Sequence, residues 1–136
     1  MKGCREGIIT ILTIAMVCIA IGCATGISRE ALLEKMKADP ALLIVDVRSQ
    51  GEYDHDHLPG AVHVPFYTVG TGIEQLGYPK TGPVAVYCEH GPRAGLAGMA
   101  LYLHGFDQIY SLKGHMKAWR ANGFPIEITT HDTTGP

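Results

Sequence analysis

Short apolar runs set off by Gly, Pro and polar clusters alternate along this chain with stretches of helical periodicity. Ser28 stands before the first helical stretch as a candidate N-cap, and Glu30 falls in its first turn. Leu32, Leu33 and Met36 share one face of it, and Asp39-Pro40 ends it. Leu42-Leu43-Ile44-Val45 is a continuous apolar run, the pattern of a strand covered on both faces, and it ends at Asp46-Val47-Arg48. Ser49 caps a short predicted helix through Tyr53, and Leu58-Pro59-Gly60 turns the chain into a strand over 61–64 that Pro65 ends. Residues 66–80 are Gly-rich and weakly periodic, with a short helix expected around 73–76.

Val84-Ala85-Val86-Tyr87 is a second buried-strand pattern. It runs into Cys88 and a Gly- and Pro-containing turn, and a helix over 94–103 follows, closed by His104-Gly105. The small residues Gly95, Ala97, Gly98 and Ala100 predict close packing of that helix against a sheet. Gln108-Ile109-Tyr110 reads as the last sheet strand. Lys113-Gly114-His115 opens a helix carrying Met116, Ala118 and Trp119, with Trp119 a core residue and Asn122-Gly123 the end. Residues 125–128 close the domain and 129–136 form a polar tail. Strands and helices alternate throughout, which predicts one α/β domain with a mainly parallel central sheet and helices on both faces.

The N-terminus follows a different pattern. Lys2 and Arg5 precede an apolar stretch over 8–21 broken only by Thr10 and Thr13, too short to span a bilayer comfortably. Ala20-Ile21-Gly22-Cys23 behind it resembles the lipobox of bacterial lipoproteins, with Ala20 where Leu is more usual. Three readings compete: a lipoprotein signal over 1–22 with Cys23 as the lipidated residue, an ordinary cleaved signal, and an uncleaved anchor. All three export the domain, to the periplasmic side of a bacterial membrane. On the first, 23–27 is a short tether and the folded domain covers 28–128.

With 136 residues and net charge −2, the composition holds no basic patch for nucleic acid and no charge run for a disordered tail. Of the four cysteines, Cys4 and Cys18 leave with the signal. With Cys23 lipidated, Cys88 is the one remaining thiol, so a self-contained dithiol oxidoreductase is excluded. Cys88 falls where a strand gives way to a helix N-terminus, at the sheet edge where α/β folds bind ligands. Unpaired N–H groups and the helix dipole there favour the thiolate, which is the nucleophile. Asp54-His55-Asp56-His57 has the look of a metal site, but it lacks further ligands at suitable spacing and reads as a solvated turn. No cofactor and no metal is expected.

Asp46-Val47-Arg48, His57-Leu58-Pro59-Gly60-Ala61, Tyr87-Cys88 with Arg93, and Leu112-Lys113-Gly114-His115 with Trp119 and Gly123-Phe124-Pro125 follow in register. Together they resemble the successive signatures of a single-domain rhodanese, over about 28–128. Gly114-His115 stands where the family often has Gly-Gly. The resemblance implies a three-layer rhodanese-like fold and a sulfurtransferase. Cys88 would take a sulfane sulfur from thiosulfate or a persulfide donor, hold it as a persulfide and pass it to cyanide or a thiol.

Glu89, His90, Gly91, Pro92 and Arg93 would form the cradle, with backbone N–H groups as donors and Arg93 as a planar charge or as a salt-bridge partner of Glu52 or Glu89. An anionic Glu89 should weaken binding of an anionic donor, Pro92 offers no N–H, and His90 is either a proton carrier or a solvated loop residue. Four residues separate Cys88 from Arg93, the spacing of sulfur-transferring members; related phosphatases and arsenate reductases have one more. The partners implied are a small or protein-borne sulfur donor and acceptor, and a membrane. The alternatives are a partner-binding rhodanese-like module without chemistry and, more distantly, a phosphatase or arsenate reductase.

Overall fold

The computed structural model describes residues 24–130, so the expected signal, Cys23 and most of the polar tail lie outside the described residues. Strands and helices alternate in chain order: β1 (Thr25–Ile27), α1 (Arg29–Ala38), β2 (Leu43–Asp46), α2 (Gln50–His55), β3 (Val62–His63), α3 (Val69–Gln75), β4 (Val84–Tyr87), α4 (Pro92–Leu103), β5 (Ile109–Leu112) and α5 (His115–Ala121). The strands form one sheet in the order β1-β5-β4-β2-β3, and every pairing is parallel. The fold is α/β, with the parallel sheet flanked by helices as the pattern predicts.

Strand alternation divides the core into two. On β4, Val84 and Val86 face one cluster, together with Val45, Ile73, Ala94, Ala97 and Leu101 from β2, α3 and α4. Ala85 and Tyr87 face the other, with Leu32, Leu112, Met116 and Trp119 from α1, β5 and α5. All four residues of β4 are buried, which is why the strand reads as a continuous apolar run. The caps hold as expected: Ser28 Oγ accepts from the Ala31 N–H at 3.1 Å, and Ser49 with Glu52 forms a reciprocal capping box.

The structure departs from the pattern at three places. Thr25–Ile27, in the stretch expected as a tether, is strand β1, which pairs with Tyr110–Leu112 of β5. The helix expected over 73–76 begins at Val69, because Val69 and Ile73 face the core together. Its glycines obscure that; a Cβ at Gly72 would lie 2.5 Å from Val64 Cγ1, so the small residue marks close packing. In α4 the buried face is Ala94, Ala97, Gly98 and Leu101, whereas Gly95 is exposed with nothing packed on it.

Candidate active site

Cys88 follows the last residue of β4, and α4 begins four residues later at Pro92. The position of the strand in the sheet therefore sets the sulfur at the mouth of α4. Gly91 is the N-cap of that helix, with φ 134°, a conformation that glycine adopts without strain. This turn brings the Gly91 N–H onto Cys88 Sγ at 3.0 Å. The loop is held from behind by α5: Met116 N–H donates to the Cys88 carbonyl at 2.9 Å and Lys117 N–H to that of Glu89 at 3.3 Å. Cys88 itself is 1% exposed.

The predicted cradle residues divide by what they touch. His90 is exposed at the loop tip. Pro92 is the first residue of α4, where an N–H would have no partner within the helix and a fixed φ is an advantage. Arg93 forms a bidentate pair with Glu52, at 2.7 and 2.9 Å. That bond holds the Glu52 carboxyl far below the usual range. It also raises the Arg93 guanidinium, and the charge Cys88 carries as a thiolate raises it further. Of the two partners expected for Arg93, the structure selects Glu52.

Glu89 is engaged elsewhere. Its carboxylate accepts from Arg48 Nη1 at 3.1 Å and from Arg120 Nη1 at 3.0 Å, so its charge is matched by two guanidiniums. Arg120, then burial and Arg48, set its carboxyl, and the net result is below the usual range. Arg48 is the hub of this network. Its Nε and Nη2 donate to the Asp46 carboxylate at 3.0 and 2.8 Å, and its guanidinium also reaches the Asp56 side chain and carbonyl. Burial pushes Arg48 down, but its bonds to Asp46 prevail and hold it above the ordinary value. Asp56 is tied in turn to Arg120 at 2.7 Å, and burial, which would raise its carboxyl, is outweighed by that bond.

One residue at this site was passed over in the sequence. His115 has φ 52°, in the left-handed region that only a few non-glycine residues visit. Its Nδ1 accepts the Cys88 N–H at 3.4 Å, and a Cβ built on Gly91 would lie 3.2 Å from its Nε2. Burial, then the charge of neighbouring His90, pushes the imidazole below its ordinary value. With Nδ1 accepting, the proton of the neutral ring sits on Nε2. The only sequence signal was a histidine in place of the second glycine of Gly-Gly.

The Asp54–His57 cluster splits apart. Asp56 joins the arginines, His57 stacks on Tyr53 at 3.9 Å and bonds its carbonyl, and His55 is exposed. Among the described residues no three His, Cys, Asp or Glu side chains gather to hold a metal ion. An open cavity of about 360 Å³ lies beside Arg93, walled by Ser49, Gln50, Pro65, Phe66 and Tyr67.

A model of the rhodanese-like domain family matches residues 28–122. The chain is 31% identical over 104 residues to the thiosulfate sulfurtransferase GlpE of Glaesserella parasuis, covering 76% of this chain and 94% of that protein. It is 31% identical over 93 residues to the putative sulfur carrier protein YrkF of Bacillus subtilis, covering 68% of this chain but 49% of the relative. Among solved structures, the Alr3790 protein of Anabaena superposes with a TM-score of 0.70 at 27% identity, over 75% of this chain and 81% of that one. A rhodanese-related protein of Thermoplasma volcanium shares the fold, with a TM-score of 0.66 at 24% identity over 76% and 98% of the two chains. The chain belongs to the rhodanese-like domain family.

Proposed function

We propose that this protein is a sulfurtransferase that carries sulfane sulfur on Cys88. The observation that carries the reading is the bond from the Gly91 N–H to Cys88 Sγ at the N-terminal mouth of α4. The Cys88 thiolate attacks the outer sulfur of thiosulfate or of a low-molecular-weight persulfide. The donor's S–S bond breaks, its electron pair leaves on sulfite or thiolate, and a Cys88 persulfide forms. Cyanide or a thiolate then attacks the outer sulfur, and the electron pair of the broken S–S bond returns to Cys88. The Gly91 N–H and the α4 dipole face the charge in both halves of the cycle. Arg93, paired to Glu52 but close enough to sense a charge on Cys88, orients the anionic end of the donor. The cavity beside it holds the donor's body.

The steric demand is set by the burial of Cys88. A terminal sulfur reaches a thiol that is 1% exposed more readily than a tetrahedral phosphate or arsenate does. The same burial is the observation that favours a second reading, a module that binds a partner without chemistry. Intact mass of the protein before and after thiosulfate or glutathione persulfide separates them. Gain of one sulfur, lost on adding cyanide and absent in Cys88→Ser, is expected. No adduct from either donor, with the thiol shown to be free, would leave the binding module as the better account.

The N-terminal pattern supports an exported, membrane-tethered form of this enzyme. Cleavage before Cys23 and acylation there are expected, with the domain on the periplasmic side. Mass analysis of the N-terminal peptide checks this: an acylated Cys23 supports it, and an unmodified N-terminus beginning elsewhere overturns it.

A further inference from the structure

The helix that begins at the Cys88 loop is apolar on both of its sides. Its inner face packs Ala94, Ala97 and Leu101 into the core. Its exposed positions are Pro92, Gly95, Leu96, Met99, Tyr102 and Leu103, with no charged side chain among them and Leu103 74% exposed. Leu96 and Leu103, 59% and 74% exposed, lie seven residues apart and so on one side of the helix, which makes a stripe. Apart from Arg93, which is paired to Glu52, this helix is apolar outside as well as inside, the pattern of a helix covered on its outer side too.

A second observation points to what that is. Ala24 packs against the flank of the same helix: a Cβ at Gly98, on its buried side, would meet the Ala24 Cβ at 3.3 Å, and Ala24 and the exposed Tyr102 line one shared depression. Cys23 is the next residue, about 3.8 Å away along the chain. The apolar stretch 8–21 is separated from Ala24 only by Gly22 and Cys23. Whatever attaches this chain to a membrane, an acyl group on Cys23 or the stretch itself, therefore starts at the Tyr102 edge of the exposed face of α4.

We propose that the outer face of α4 rests on the lipid bilayer, as a second attachment beside the N-terminal one. The inference builds on the membrane-tethered reading given above. An apolar face beside the anchored N-terminus adds its own buried area to the attachment, since interfacial binding grows with the apolar area that leaves water. Packing of residues 8–21 along α4 would instead leave the outer side of that stretch in water, since it is apolar all round. Lipid covers both. Because the face is uncharged, docking needs no anionic lipid. It lays the α4 axis along the membrane, with the Cys88 loop opening at the bilayer surface.

The test uses the full chain in phosphatidylcholine vesicles with brominated acyl chains, carrying Leu103→Trp. Lys37→Trp, exposed at the end of α1 across the sheet, is the control, and the buried Trp119 gives a common background. The Leu103→Trp signal should fall by about half on bromination, since interfacial side chains sit about 5–10 Å deep, and the Lys37→Trp signal should not change. Protein that floats with the vesicles but shows equal emission loss in both variants overturns the docked face and leaves the tether standing. Protein that does not float overturns both. A blue-shifted Leu103→Trp emission without bromine quenching would put residues 8–21 or a second copy on the face, and would also overturn the proposal.

Discussion

The two flanks of the Cys88 loop are held in opposite ways. On one, Glu89, Arg48, Asp46, Asp56 and Arg120 form a closed set of charge-assisted bonds that ties the ends of β2 and α2 to the loop and to α5. On the other, the sulfur has one N–H from Gly91, and the Cys88 N–H has a long bond to His115. The backbone there is in the left-handed region at His115 and at φ 134° in Gly91. Successive residues on β4 lead to these flanks: Tyr87 lies against the buried Arg48, its ring centroid 5.8 Å from the guanidinium, and Cys88 faces the apolar cluster over α4. The charged flank fixes where the loop leaves the sheet, and the thin flank gives the sulfur a backbone donor in the Gly91 N–H. Rigidity and reactivity are separated by one residue and the alternation of a strand.

Breaking the charged flank should have the largest effect. Arg48→Met leaves Asp46, which is fully buried, without the guanidinium that compensates it, and leaves Asp56 with Arg120 alone. A loss of about 3–5 kcal/mol is expected from urea unfolding, as for buried ion pairs that lose one member. A loss under about 1 kcal/mol would mean that this flank is not the fixed one. Gly91→Ala tests the other flank. A side chain at that φ costs about 1–3 kcal/mol, and its Cβ would press on His115 Nε2 at 3.2 Å. Sulfur loading of Cys88 should slow far more in Gly91→Ala than in Glu89→Gln. The latter weakens bonds to an Arg120 that is 40% exposed and one to the buried Arg48, which keeps Asp46 and Asp56, and should cost about 1–2 kcal/mol. If Glu89→Gln slows loading as much, the division between the flanks is wrong.

How far the sequence reached follows from the range of the interactions. The buried runs of β2 and β4, the caps Ser28 and Ser49, and the strand–turn–helix around Cys88 are local patterns, and all were legible. Strand β1 was not, because Thr25-Gly26-Ile27 has little strand character of its own and exists through pairing with β5. The choice of Glu52 over Glu89 as the Arg93 partner was open in the sequence. It is decided by Arg48 and Arg120, which hold Glu89 from 41 and 31 residues away. Asp46-Val47-Arg48 was visible as a signature, but not as the hub of a network, since its partners come from three other parts of the chain. His115 was invisible for the same reason: its approach to the loop depends on how α5 packs behind β4.

The smallest expected effect sharpens the comparison through pH. Burial holds the folded His115 below its ordinary value of about 6.5, so between the lowered folded value and about 6.5 the unfolded chain binds the extra proton. Stability from this group is therefore complete above about pH 6.5 and is lost as pH falls below it. The carboxylates of the charged flank, Asp56 and Glu89, are depressed in the folded state and act lower. Their contribution is complete above about pH 5 and is lost as pH falls below about 4. Two descending steps are expected in the urea midpoint, a shallow one near the histidine range and a steeper one in acid. His115→Asn should remove the first and keep the second, because Asn tolerates the left-handed backbone and can accept the Cys88 N–H but does not titrate. A first step that survives in His115→Asn would assign it to another histidine. The thin flank would then be insensitive to protons, and its openness a matter of backbone geometry alone.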